Sequence, residues 1–130
     1  MTTTMITAGL LGLLLLFLGG YVIAGRVQFK IGLGDGGNEA MRRRIRAQAN
    51  FIEYVPMALI LMALMENGSV GPVWLLVAMG ATLVVARLWH AQGLYSSSGT
   101  SVGRFAGTNL TAAVIFVAAV ACIGRGAGVW

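Results

Sequence analysis

The stretch Arg46-Ala47-Gln48-Ala49-Asn50-Phe51-Ile52-Glu53-Tyr54-Val55-Pro56 opens an apolar run that continues to Met65. The run is long enough to cross a membrane, yet it begins at an arginine and carries Gln48, Asn50 and Glu53. A carboxylate in a membrane helix costs ~2.5–3.5 kcal/mol on insertion scales, so such a group normally faces a bundle interior or a water-filled cavity and marks a functional site. Arg46, Asn50 and Glu53 stand at i, i+4 and i+7 and share one helix face, with Tyr54 on its flank. They form a polar stripe descending from a basic end into the membrane. Pro56 removes the backbone hydrogen bond to Ile52 and is expected to bend the helix there. On the residues alone two readings stand: a ligand site, or a self-satisfied network in which Glu53 pairs with Arg46 or Arg104 and glues helices together.

Outward from this stretch the chain is apolar. Of its 130 residues 58% are hydrophobic and 10% charged. A soluble domain carries about 25% charge, so a water-facing surface could hardly be covered here. A span needs about 20 apolar residues, and four segments qualify: about 5–25, 47–65, 70–90 (apolar as far as Ala86) and 105–124. The fold class is therefore an all-α membrane protein, one four-helix transmembrane domain over 1–130. Met1 to Gly25 holds no charge and so lacks the basic start of a signal peptide, which makes it a retained span. Glu39 to Arg46 is expected to begin the second helix before the membrane, after a flexible loop at Gly32-Leu33-Gly34-Asp35-Gly36-Gly37-Asn38. Glu66-Asn67-Gly68-Ser69 reads as a tight turn, Pro72 suits the opening turn of the third helix, and Gln92 to Gly103 reads as a loop.

A net charge of +5 would suggest nucleic acid in a soluble domain. In a membrane chain it reports topology, and no nucleic-acid partner is expected. Arg26, Lys30, Arg42, Arg43, Arg44 and Arg46 lie in or beside the first loop, and Arg87 and Arg104 flank the third; only Arg125 lies near the opposite face. The positive-inside rule makes the loop side cytoplasmic and both termini non-cytoplasmic. Arg42, Arg43 and Arg44 read as topology determinants and headgroup contacts, and Trp74, Trp89 and Trp130 as interface anchors. Cys122 is a lone packing residue, and His90 has no metal-ligating neighbour, so no metal site is expected. The short loops suggest a bacterial inner membrane.

The opening stretch resembles the signature of the MAPEG family (membrane-associated proteins in eicosanoid and glutathione metabolism), R-A-x-x-N-x-x-E-x-x-P. It is most similar to the leukotriene C4 synthase and FLAP-like branch, R-A-Q-x-N-x-x-E-Y-x-P, as a prokaryotic member. Val22-Ile23-Ala24-Gly25-Arg26 resembles the end of that family's first helix, and Ala86-Arg87-Leu88-Trp89-His90-Ala91-Gln92-Gly93 the end of its third. The resemblance implies a homotrimer that binds glutathione between subunits near the cytoplasmic face. It implies glutathione contacts at Arg26, Arg46, Asn50, Glu53 and Tyr54, with Gln48 supporting. His90 and Leu94 stand where leukotriene C4 synthase has tyrosines, with Tyr95 beside the second. Arg104 matches the thiolate-stabilising, catalytic arginine after a short insertion.

The chemistry suits those residue types. Glutathione carries two carboxylates and one ammonium, and its reactive form adds a thiolate. Guanidinium groups grip carboxylates in bidentate fashion, a part for Arg26 and Arg46, while Glu53 can accept the ammonium. A free thiol titrates near about 8.5 and an adjacent cation lowers that value, the part for Arg104. The second substrate is expected to be lipophilic and to enter from the bilayer, for transfer or peroxide reduction. A relative that binds lipid or glutathione without turnover is the alternative. A small four-helix drug exporter would need a carboxylate in the first span, which has none.

Overall fold

The computed structural model describes residues 1–96 and 101–129. They form four helices, α1 (Thr2–Phe29), α2 (Glu39–Asn67), α3 (Val73–Ser96) and α4 (Val102–Gly126). All four are long and apolar enough to cross a membrane. At about 1.5 Å per residue, the 29 residues of α2 reach ~43 Å, past the ~30 Å hydrocarbon layer. Its surplus matches the basic stretch Glu39 to Arg46, which belongs to α2 as expected.

The burial pattern explains the packing. On α2 the buried residues Ala47, Phe51, Val55, Ala58, Met62 and Met65 recur every three or four positions, one stripe turned inward. On α4 Gly103, Gly107, Thr111, Val114 and Ala118 do the same. Large apolar side chains such as Leu13, Leu16, Phe17, Val77 and Phe116 remain outside. That is no defect in a bilayer, where lipid tails are as apolar as leucine. Among the described residues α2 and α3 each pack against every other helix, while α1 and α4 do not touch.

The ends are held by specific groups. The Asn38 side chain accepts from the Met41 N–H at 2.9 Å and caps α2. The carboxylate of Glu66 accepts from the N–H groups of Thr3 and Thr4, at 2.9 and 2.8 Å. Glu66 thus caps α1 from the far end of α2, and belongs to that helix and not to the turn, which begins at Gly68. In the α1–α2 loop Asp35 accepts from the Gly37 N–H at 2.9 Å and pairs with Arg42 at 2.7 Å.

Two boundary expectations are corrected. Pro72 precedes α3, its carbonyl accepting from the Leu75 N–H at 3.0 Å. Residues 92–96, read as loop because of Gly93 and the serines, continue α3. Gly93 is there because α4 passes close: a Cβ on it would meet Ser101 Oγ at 2.6 Å and the Arg104 nitrogen at 2.8 Å. The remaining loop residues 97–100, and Trp130 as an anchor, lie outside the described residues.

Candidate ligand-binding site

At the basic end a cavity of about 440 Å³ opens between α2, α3 and the start of α4, lined by Gly37, Glu39, Arg42, Arg43, Arg46, Asn50, His90, Leu94 and Arg104. The i, i+4 step from Arg46 to Asn50 is what lets one helix supply both the mouth and the floor. From α3, His90 and Leu94 present the same spacing to the opposite wall. Four arginines face one carboxylate, so the cavity is strongly cationic. Arg42 and Arg43, expected to serve topology alone, are wall residues here.

Glu53 lies one turn deeper and pairs with Arg46 at 3.8 Å, with the two side chains 51% and 58% exposed. Tyr54 beside it is also exposed. The stripe therefore emerges on the outer face of the bundle, midway along α2.

Other site expectations fall elsewhere. Arg26 donates from Nη1 to the Gly32 and Gly34 carbonyls, at 3.3 and 3.1 Å, and braces the α1–α2 loop. Gln48, on the opposite face of α2 from Arg46, lies against α1, with its Nε2 3.3 Å from where a Cβ on Gly19 would stand. Tyr95 leaves the cavity to Leu94 and packs edge-on against Tyr21, centroids 4.8 Å apart. Arg44 covers the other part of Tyr21, 3.9 Å from the ring centroid, and donates to the Tyr21 carbonyl at 3.1 Å. Within the chain, Arg26, Gln48 and Tyr95 are thus separated from Arg46, Asn50, His90 and Arg104.

Sequence reasoning missed Arg87. Read as flanking a loop, it is 2% exposed inside the bundle. Its Nη1 donates to Asn50 Oδ1 at 2.7 Å and its Nη2 to the Gly107 carbonyl at 3.0 Å, tying α3 to α2 and α4. The signal was its place three residues before His90 and seven before Leu94, on the same face of the third helix.

A second recess of about 500 Å³, lined by Ser101, Val102, Arg104 and Phe105, opens beside Arg104. Val102 and Phe105 are both exposed, so this side is apolar. Arg104 borders both spaces.

With this geometry in place, comparison with known proteins is decisive for kinship. The model of the MAPEG family matches residues 4–124. The chain belongs to the MAPEG family. This MAPEG chain is also 36% identical over 75 residues to the inner membrane protein YecN of Escherichia coli strain K12, covering 57% of this chain and 56% of the relative. YecN of Escherichia coli O6:H1 strain CFT073 matches to the same extent. The similarity thus spans little more than half the length of these relatives. With four apolar helices and an inner-membrane relative, the MAPEG chain is an integral, multi-pass membrane protein.

Proposed function

We propose that this MAPEG protein is a membrane-embedded, glutathione-dependent transferase or peroxidase that activates the glutathione thiol against a lipophilic electrophile. The observation that carries the reading is Arg104, among the described residues the one side chain bordering both the cationic cavity and the apolar recess. The residues present fit glutathione. Arg42, Arg43 and Arg46 suit its two carboxylates, Glu53, outside the cavity's lining but paired with its Arg46, suits its ammonium, and about 440 Å³ is within the ordinary range for small-molecule sites. A thiol beside the Arg104 guanidinium ionises more readily. Its sulfur pair then bonds to the electrophilic carbon, and the leaving group departs with the displaced electrons.

Arg26, Gln48 and Tyr95 cannot reach that cavity from their own subunit. We assign them to the site of a neighbouring copy in a homotrimer, where Arg26 meets a ligand carboxylate. The membrane is the bacterial inner membrane, as the name of the E. coli relative suggests, with the basic end cytoplasmic and both termini outside.

Calorimetric titration of glutathione into the detergent-solubilised protein, followed by conjugation to a chloro-dinitrobenzene acceptor, tests the reading. Saturable binding with turnover is expected. Binding without turnover would select the non-catalytic relative, which Leu94 favours by standing where leukotriene C4 synthase has a tyrosine. No binding at millimolar glutathione overturns the enzyme reading and leaves only a relative that binds lipid.

A further inference from the structure

We propose that Arg87 is a positioning residue that locks Asn50 with its amide hydrogens toward the cavity, so that the ligand atom read by Asn50 is an acceptor, a carboxylate or carbonyl oxygen. A guanidinium has five donors and no acceptor, whereas an asparagine amide offers one oxygen and two N–H groups. With Arg87 Nη1 at 2.7 Å from Asn50 Oδ1, the oxygen is turned toward Arg87, and the NH₂ group is the part of the amide left for the cavity that Asn50 lines. The opposite orientation would set donor against donor.

Arg87 cannot easily turn away. Its Nη2 is held at 3.0 Å by the Gly107 carbonyl, which also accepts from Thr111 Oγ1 at 2.8 Å. Gly107 itself is fixed by close packing, since a Cβ there would meet the Ala86 carbonyl at 2.5 Å. Among the described residues no carboxylate pairs with Arg87. A buried arginine without a counter-charge is a costly way to join helices. An anionic group bound at Asn50 supplies that charge. A ligand ammonium is thereby directed away from Asn50, towards Glu53.

Glutathione serves as the probe, so the binding arm rests on the function proposed above. Asn50→Asp still offers Arg87 an acceptor and adds the missing charge, but turns an oxygen toward the cavity. Its melting midpoint in detergent is expected at or above that of wild type, while its glutathione Kd weakens at least tenfold. A merely structural Asn50–Arg87 contact would leave Kd alone. Independently, Arg87→Met, Asn50→Ala and the double variant form a thermal-stability cycle, which is expected to be non-additive. Wild-type affinity in Asn50→Asp, or an additive cycle, overturns the proposal. Should Arg87→Met not fold, Asn50→Asp alone decides it. A wild-type protein that binds no glutathione overturns the functional reading instead, and the stability cycle then decides the pairing.

Discussion

Glu53 occupies the middle of α2, yet its side chain is 51% exposed and its partner Arg46 lies 3.8 Å away. A pair so exposed contributes only ~0–1 kcal/mol to folding, so its value has to be sought in binding. Glu53→Gln is expected to shift the melting midpoint of the apo protein little while weakening glutathione by tenfold or more, read by calorimetry. Arg104→Ala is expected to fail differently. Much of the binding should survive, but the thiol pKa of bound glutathione should climb toward its free value of about 8.5. Thiolate absorbance followed against pH reports this directly, and an unchanged titration would remove Arg104 from the role. At this scale the sequence was informative about residues that share a helix face with the signature, namely Arg46, Asn50 and Glu53. It was silent on Arg87, because a charge near the end of an apolar run looks the same whether it flanks a loop or enters the bundle. Only the neighbouring Asn50 and Gly107 decide that. Tyr95 shows the same limit in reverse: one position along α3 turns a side chain by about 100°, from the cavity to Tyr21.

Between elements, the close approach of α3 and α4 depends on glycine at 107. A Cβ there would meet the Ala86 carbonyl at 2.5 Å and His90 Cβ at 2.7 Å, whereas one at Gly12 would meet nothing within 4 Å. Gly107→Ala should therefore lower stability by about 1–3 kcal/mol and disturb His90, with Gly12→Ala as the silent control in a detergent melting series. The α1–α2 loop gives a pH expectation. The Arg42 hydrogen bond, followed by that from the Gly37 N–H, holds the Asp35 carboxyl below its ordinary value of 3.8. The depressed folded value means that the stabilisation is complete above 3.8 and is lost as pH falls through the lower folded value. Proteolytic protection of residues 30–38 should be flat from neutral pH to about 4 and decline only below it; a loss near pH 6 would contradict the assignment. All four spans were legible because twenty apolar residues leave few alternatives. Their ends were not, because helices outrun the hydrocarbon at the basic side, and because Gly93 reads as a breaker until α4 is seen passing over it.

For the molecule as a whole, the N-terminus and Glu66 mark one end, while the α1–α2 loop, with Arg26 and Arg42 in the helices beside it and Lys30 at its start, marks the other. Charge bias survives the removal of Arg87 from the count, since only Arg125 lies away from the basic side. Reporter fusions at the C-terminus are therefore expected to be active outside the cytoplasm and silent within it. The same asymmetry bears on assembly. A single subunit would hold Arg46 and Glu53 half-exposed on a face that also carries Ile52, Met57 and Ile60, with Glu53 midway along a membrane helix. Leaving a charge there in contact with lipid costs ~2.5–3.5 kcal/mol, an incentive to cover that face with protein. Arg26 and Gln48 lie on α1 and on the far side of α2, away from their own cavity, where a neighbour could use them. A closed ring satisfies both demands, because each copy offers one face and receives the other. The homotrimer proposed above is such a ring. Native mass measurement of the detergent-stripped complex should give three copies of the 13.6 kDa chain. Mixed trimers would then test the sharing of residues: subunits carrying Arg26→Ala and subunits carrying Arg46→Ala, each inactive alone, should regain part of their glutathione binding when co-assembled. A monomer as the sole species, or no recovery in mixed assemblies, would leave Arg26 as a brace of its own loop and nothing more.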